Sequence, residues 1–175
     1  MNKPEVYEVL ISDSQPFADA RIAMAVSDVF QIVREEMMCG EGETGGILLI
    51  GVDNIQDVPR CQLLGEFTKY SPDQCYASAL EKLQRVYGSV DGISAWQSRD
   101  VSGDEKHYGG AIMVGEYCIS FHGLSEHLDE ALVTVAAMMC GLLSIEDVEP
   151  ILEVSKNPLF GKLLKAVGQR TRPLT

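Results

Sequence analysis

The chain has no C-x-x-C pair, no H-x-H run, and no glycine-rich loop leading into Lys-Ser or Lys-Thr. A local zinc motif is therefore missing, and so is the lysine that a phosphate loop places on its nucleotide. Basic residues are scarce: 14 Lys and Arg face 26 Asp and Glu, a net charge of −12. A nucleic acid or an anionic membrane needs a basic face, so neither is an expected partner. No apolar run approaches the length of a membrane span, and MNKPEVYEVL lacks the uncharged stretch of a signal sequence. Five scattered cysteines read as reduced, buried thiols, and the expected location is the cytoplasm. No Cys, His and carboxylate stand together as a complete catalytic set, so no catalytic residue and no metal ligand are assigned. Enzyme activity is the less expected outcome.

What the chain does have is organised around Tyr108 to Leu143. Ala111 to Val114 and Tyr117 to Phe121 are apolar, aromatic or β-branched, with Gly115-Glu116 between them. A Gly-X pair between two such runs predicts a two-residue hairpin with a type II′ turn. In that register Val114 opposes Tyr117 and Ile112 opposes Ile119. Alternation then puts Ile112, Val114, Tyr117, Ile119 and Phe121 on one face, with Met113, Cys118 and Ser120 on the other. Both faces are apolar enough that the hairpin is expected to be central in its sheet and covered on both sides. Ser125 is placed as the N-cap of the most apolar helix, with Glu126, Asp129 and Glu130 suiting its positive end.

Upstream, Asp13 or Ser14 and Pro16 open an amphipathic helix to about Met38, with Phe17, Met24, Val29, Phe30 and Met37 among its apolar positions. An extended arm precedes it, with Val6, Val9 and Leu10 as anchors. Gly40 to Gly46 is a glycine-rich break before a strand at Ile47 to Val52. A polar loop over Asp53 to Arg60 leads to a returning strand at Cys61 to Phe67. Ser71, Pro72 and Gln74 form a capping box for a second helix, whose buried face is Cys75, Ala79, Leu83 and Val86. Ile93 to Trp96 is expected as a further strand. The organisation is one α+β domain over residues 1–143, followed by a helical extension over 144–175. The extension holds a Pro150-limited segment after Ser144 and a last helix with Leu159, Phe160, Leu163 and Leu164 on one side. That stripe packs on the domain or on a partner, and Gln169 to Thr175 is a tail.

The candidate ligand-binding residues are Trp96, His107, Tyr108, His122 and His127. They are the sparse aromatic and imidazole groups that flank the hairpin. Histidine brings a proton switch or a ligand nitrogen, and Trp and Tyr bring flat walls with a polar tip. Asp129 and Glu130 are accounted for by their place in a first helical turn. Glu43 to Leu49 (ETGGILL) resembles the opening of the JAB/MPN metalloproteases, but the H-x-H-P run of that family has no counterpart here.

Gly109-Gly110-Ala111-Ile112, the hairpin, Ser120 to Ser125 and Asp129-Glu130-Ala131-Leu132 together resemble the C-terminal half of the GlcG-like haem-binding family, over roughly residues 16–143. The resemblance implies a profilin-like fold, an antiparallel sheet between helices. It also implies haem or another small molecule as ligand, and self-association, most simply as a dimer. His122 stands where that family often has a small residue, and no haem ligand is identified. A second resemblance, in size, charge and element order, is to acidic type III secretion chaperones. It implies instead a dimeric protein-interaction adaptor that uses its acidic surface and terminal helix. A ligand binder needs a concave pocket; an adaptor needs an exposed apolar stripe.

Overall fold

The computed structural model describes residues 16–52 and 58–170. The expected N-terminal arm, the cap at Asp13 or Ser14, most of the Asp53 loop and the last residues of the tail lie outside these. In chain order the elements are α1 (Pro16–Glu35), β1 (Gly45–Val52), β2 (Arg60–Gly65), α2 (Pro72–Gly88), β3 (Ala111–Val114), β4 (Tyr117–His122), α3 (Glu126–Met139), α4 (Ile145–Ser155) and α5 (Phe160–Arg170).

The strands form one antiparallel sheet in the order β2-β1-β4-β3. The hairpin has the expected register, with Val114 opposite Tyr117 and Ile112 opposite Ile119. Gly115 has φ 58° while Glu116 keeps a negative φ, the combination a type II′ turn requires. Of the two hairpin strands, however, β4 alone is central, because it pairs with both β1 and β3. β3 is an edge strand, closed in part by Ser94, which bridges to Ile112, and by the Met113 N–H bond to the Ile93 carbonyl. Ile112 and Ile119 are both fully buried.

Strand alternation sorts the side chains into two cores. Leu48, Ile50, Ile112, Val114, Tyr117, Ile119 and Phe121 face α1 and α3, whereas Ile47, Leu49, Ala111 and Cys118 face α2. The sheet is thus flanked by helices, the α+β arrangement that the profilin-like expectation requires. α3 is buried nearly all round, from Leu128 through Ala137. Each fully buried Leu, Ile or Phe contributes about 1.5–3 kcal/mol relative to exposure, so this helix and the hairpin beneath it supply much of the stability.

Several local expectations are met and others corrected. Ser71 and Gln74 make the reciprocal capping box, and Cys75, Ala79, Leu83 and Val86 are buried together with Lys82. The predicted strand at Ile93–Trp96 is instead a single bridge at Ser94 that then caps a 3-10 turn over Ala95–Ser98. One residue of pairing satisfies the edge before the chain turns away. Met24 and Met37 are exposed, 68% and 88%. Met24 lies outside the stripe set by Ile22, Val26, Val29 and Val33, and Met37 follows the end of α1 in a left-handed conformation.

The terminal extension is packed on the sheet domain. Val148, Ile151, Phe160, Leu163 and Val167 join the larger core, and Leu163 is fully buried. Asn157, between α4 and α5, donates to the His127 carbonyl (2.7 Å) and to Glu130 Oε1 (3.1 Å). Ser94 Oγ donates to the other Glu130 oxygen (2.7 Å). A carboxylate expected on a solvated first turn therefore links α3, the β3 edge and the extension. Burial pushes Glu130 upward in pKa, opposed by these hydrogen bonds.

Candidate functional site

β4 ends at His122, and the chain turns through Gly123, Leu124 and Ser125 into α3. This corner forms one side of a cleft of about 590 Å³, lined also by Glu43, Lys69, Tyr70, Gln74, Ala77, Ser78, Lys82, Tyr108, Glu126 and Asp129.

Lys82 and Asp129 are the most unusual of these residues. They lie on α2 and α3, on opposite faces of the sheet, and both are essentially without solvent exposure. Lys82 Nζ donates to Asp129 Oδ2 at 2.9 Å and to the Phe121 carbonyl at 2.9 Å. Asp129 Oδ1 accepts the Leu124 N–H at 3.0 Å. The bridge passes the beginning of β3, where Gly110 leaves room for it. A Cβ there would lie 2.7 Å from Asp129 Cβ and 2.8 Å from Lys82 Nζ, and its φ of +113° also favours glycine. Burial raises Asp129 to about 7, against the lowering effect of Lys82 and of the Leu124 N–H.

His122 stands beside this pair and is 9% exposed. Its Nδ1 has no hydrogen-bond partner and lies 3.7 Å from Asp129 Oδ2, too far for a bond. The ring packs against Tyr70, centroids 5.3 Å apart. Burial, with Lys82 and Lys69 nearby, lowers the imidazole to about 3, so it is neutral at pH 7. Nδ1 is enclosed, so the residual exposure of this ring is away from that edge.

At the rim, Lys69 donates to Glu43 Oε1 (2.9 Å), and Glu43 Oε2 accepts the Gly40 N–H (2.9 Å). The glycine-rich break thus delivers a carboxylate that is 7% exposed. Glu126 accepts from Nε and Nη2 of Arg99 (2.9 and 2.6 Å) and from the Gly109 N–H.

Of the five expected site residues, Tyr108 and His122 line the cleft. Trp96 and His127 stack next door, with ring centroids 4.5 Å apart and the Arg99 guanidinium 4.9 Å from the Trp96 ring. Glu126 joins the two regions because its Arg99 partner covers Trp96. His107 is drawn away by Glu81, with Nδ1 2.7 Å from its Oε1. Arg85 holds the intervening loop through the Ala95 and Tyr108 carbonyls and Ser98. Sequence reasoning missed Lys82, Lys69 and Tyr70, and set Asp129 and Glu43 aside. A signal for Lys82 was present: it falls three residues after Ala79 and four before Val86, on the buried stripe of α2.

The thiols offer no nucleophile, because burial pushes Cys75 to about 11 and Cys118 to about 12. Among the described residues no group of His, Cys, Asp and Glu is arranged to hold a metal ion. No helix among them is long and apolar enough to cross a membrane.

Two expectations follow. Lys82→Met should cost about 3–5 kcal/mol in urea unfolding, because it strands a buried carboxyl; Lys82→Met with Asp129→Leu should recover most of that loss. The second concerns acid. His122 has a depressed native pKa, so its contribution is complete above about 6.5 and is lost as pH falls toward 3. The stability difference between the natural protein and His122→Gln should therefore grow with pH across that window, by up to about 1.4 kcal/mol per unit, and be flat above it. Denaturation series from pH 3 to 8 on both proteins measure it, and a pH-independent difference would refute it. Asp129, shifted the other way, is common to both proteins and largely cancels.

Comparison of the chain with protein-family models, with curated proteins and with solved structures finds no match.

Proposed function

We propose that this protein is a small-ligand-binding domain whose site is the cleft between α2 and the β4–α3 corner. One observation carries the reading: a nine-tenths buried imidazole lines the cleft with an enclosed, unpartnered Nδ1, beside a fully buried ion pair. Unspent hydrogen-bonding capacity in a concave site is characteristic of ligand recognition, since a buried polar atom left alone costs about 1–3 kcal/mol. Tyr70, Tyr108 and Leu124 supply apolar walls, and the hydroxyls of Ser78 and Ser125 supply polar contacts.

Haem, the ligand implied by the GlcG-like resemblance, fits this donor set poorly. The cleft has a single imidazole, and three carboxylates in its lining oppose two propionates. The adaptor reading loses its apolar stripe, because Phe160 and Leu163 are buried against the domain. Self-association remains part of the proposal, supported by β2 having a strand on one side only among the described residues and by Leu63, 45% exposed on it. Five unpaired cysteines accord with a reducing, cytoplasmic location.

The test is a fragment panel read by thermal shift on the natural protein and on Ala77→Trp. Ala77 is an exposed α2 residue at the cleft, so the indole fills the mouth with little effect on folding. A ligand at one hundred times its Kd stabilises by about 2.7 kcal/mol, a rise of several degrees, and Ala77→Trp should abolish that rise. Hits that stabilise both proteins equally would place binding elsewhere and refute the proposal.

A further inference from the structure

The unspent polar groups of the cleft are mostly donors. All six oxygens of Glu43, Glu126 and Asp129 already accept from a cation or a backbone N–H. Lys82 has three ammonium hydrogens and two partners, Phe121 O and Asp129 Oδ2. Lys69 has one carboxylate partner, at the rim. The Gln74 amide oxygen is used by the Ser71 N–H, which leaves its NH2 group without a partner among the described residues. Ser125, at the N-cap of α3, makes no side-chain cap bond, so the first N–H groups of that helix lack the usual hydroxyl acceptor. His122, whose ring lines the same cleft, supplies an independent sign of a missing ligand: its buried Nδ1 has no partner among the described residues. Uncommitted donors, two lysines and a helix N-terminus together favour an anion.

The anion's charge is limited by its neighbours. Asp129 and Glu43 both border the cleft, and a dianion would meet both. A monocarboxylate can avoid the conflict by sharing a proton with Asp129, as close carboxylate pairs do. The walls at Tyr70, Tyr108 and Leu124 suit a flat apolar body behind that headgroup.

We propose that the cleft binds a flat organic monocarboxylate, seated at the N-terminus of α3 between Lys69 and Lys82, and that Asp129 takes up one proton from solvent as it binds. This rests on the cleft being a ligand site and adds the chemical class of the ligand. No covalent bond changes: the ligand carboxylate replaces the Asp129 oxygen as acceptor for Lys82, and Asp129 is left as a neutral acid. The titratable and charged groups facing Asp129 are Lys82 and Cys75 from α2, His122 from β4, and Glu43 from the loop before β1. Of these, His122 stays neutral above about pH 3 and the Cys75 thiol stays protonated to about 11, so neither takes up the proton. Glu43 keeps its Lys69 partner at the rim, and the carboxyl that gives up its lysine is Asp129.

Isothermal titration calorimetry with benzoate, benzamide and inorganic phosphate tests this, at pH 6 and 8 in buffers of different ionisation heat. Benzoate should bind at least tenfold more tightly than benzamide or phosphate. Its affinity should fall above pH 7, approaching about tenfold per unit, with close to one proton taken up per ligand at pH 8. Lys69→Met, a rim change outside both hydrophobic cores, should weaken benzoate at least tenfold; Lys82→Met should weaken it further if that variant folds. Equal binding of benzamide would overturn the carboxylate proposal and leave the ligand site standing. Tighter binding of phosphate, or benzoate binding without proton uptake, would also overturn it. Absence of any benzoate heat refutes the proposal outright, and the Ala77→Trp comparison then decides separately whether the cleft binds ligands at all.

Discussion

A buried lysine and a buried aspartate, 2.9 Å apart, set the geometry of this molecule. Removing two charges from water is expensive, and the pair is tolerable because each member has a further hydrogen bond: Phe121 offers its carbonyl to Lys82 and Leu124 its N–H to Asp129. Those two contacts lie on either side of His122, so the same bridge that joins α2 to α3 also fixes the corner between β4 and α3. The sheet cannot shift against either helix without exposing an unpaired charge. Gly110 follows from this constraint, since any side chain there would occupy the space of the bridge.

The cleft is a consequence of that corner. The β3 ladder ends at Ala111, opposite Ser120, while β4 runs on to His122 beside the Gly109–Gly110 segment. Rim contacts then define the walls: Lys69 with Glu43 on one side, Arg99 with Glu126 on the other. The lining is close to electrically balanced although the whole chain carries −12. Local pairing, not net charge, therefore decides what the cleft accepts. Asp129 and His122 are shifted in opposite directions by the same burial, which leaves a neutral base beside an acid that titrates near neutrality.

Much of the fold is legible in the sequence because it is written in short-range terms. Gly115-Glu116 sets the turn, the turn sets the register, and alternation then sorts Ile112 from Met113. The Ser71 capping box and the Ser144 cap are equally local. The position of the hairpin within the sheet is not local, because β1 could have paired with either of its strands. It chose β4, leaving β3 at the edge with Ser94 against it. For the site, Tyr108 and His122 could be named as rare functional side chains near the hairpin. Lys82 and Asp129 could not be paired, since 47 residues separate them and each has a bland local explanation. Only the helical stripe of α2 marks Lys82 as buried, and Asp129 shares the apolar face with Leu132, Val133 and Ala136. His107 and Trp96 are near in sequence but are captured by Glu81 and by His127 with Arg99.

The central claim is that the Lys82 ammonium is an enclosed, fixed bridge between two helices. Amide- and lysine-selective NMR on nitrogen-15-labelled protein tests it directly. The structure predicts one slowly exchanging ammonium signal, assigned to Lys82, with through-space contacts to Asp129 and Phe121. Lys82 hydrogens that exchange as fast as those of the surface lysines, with no such contacts, would contradict the account.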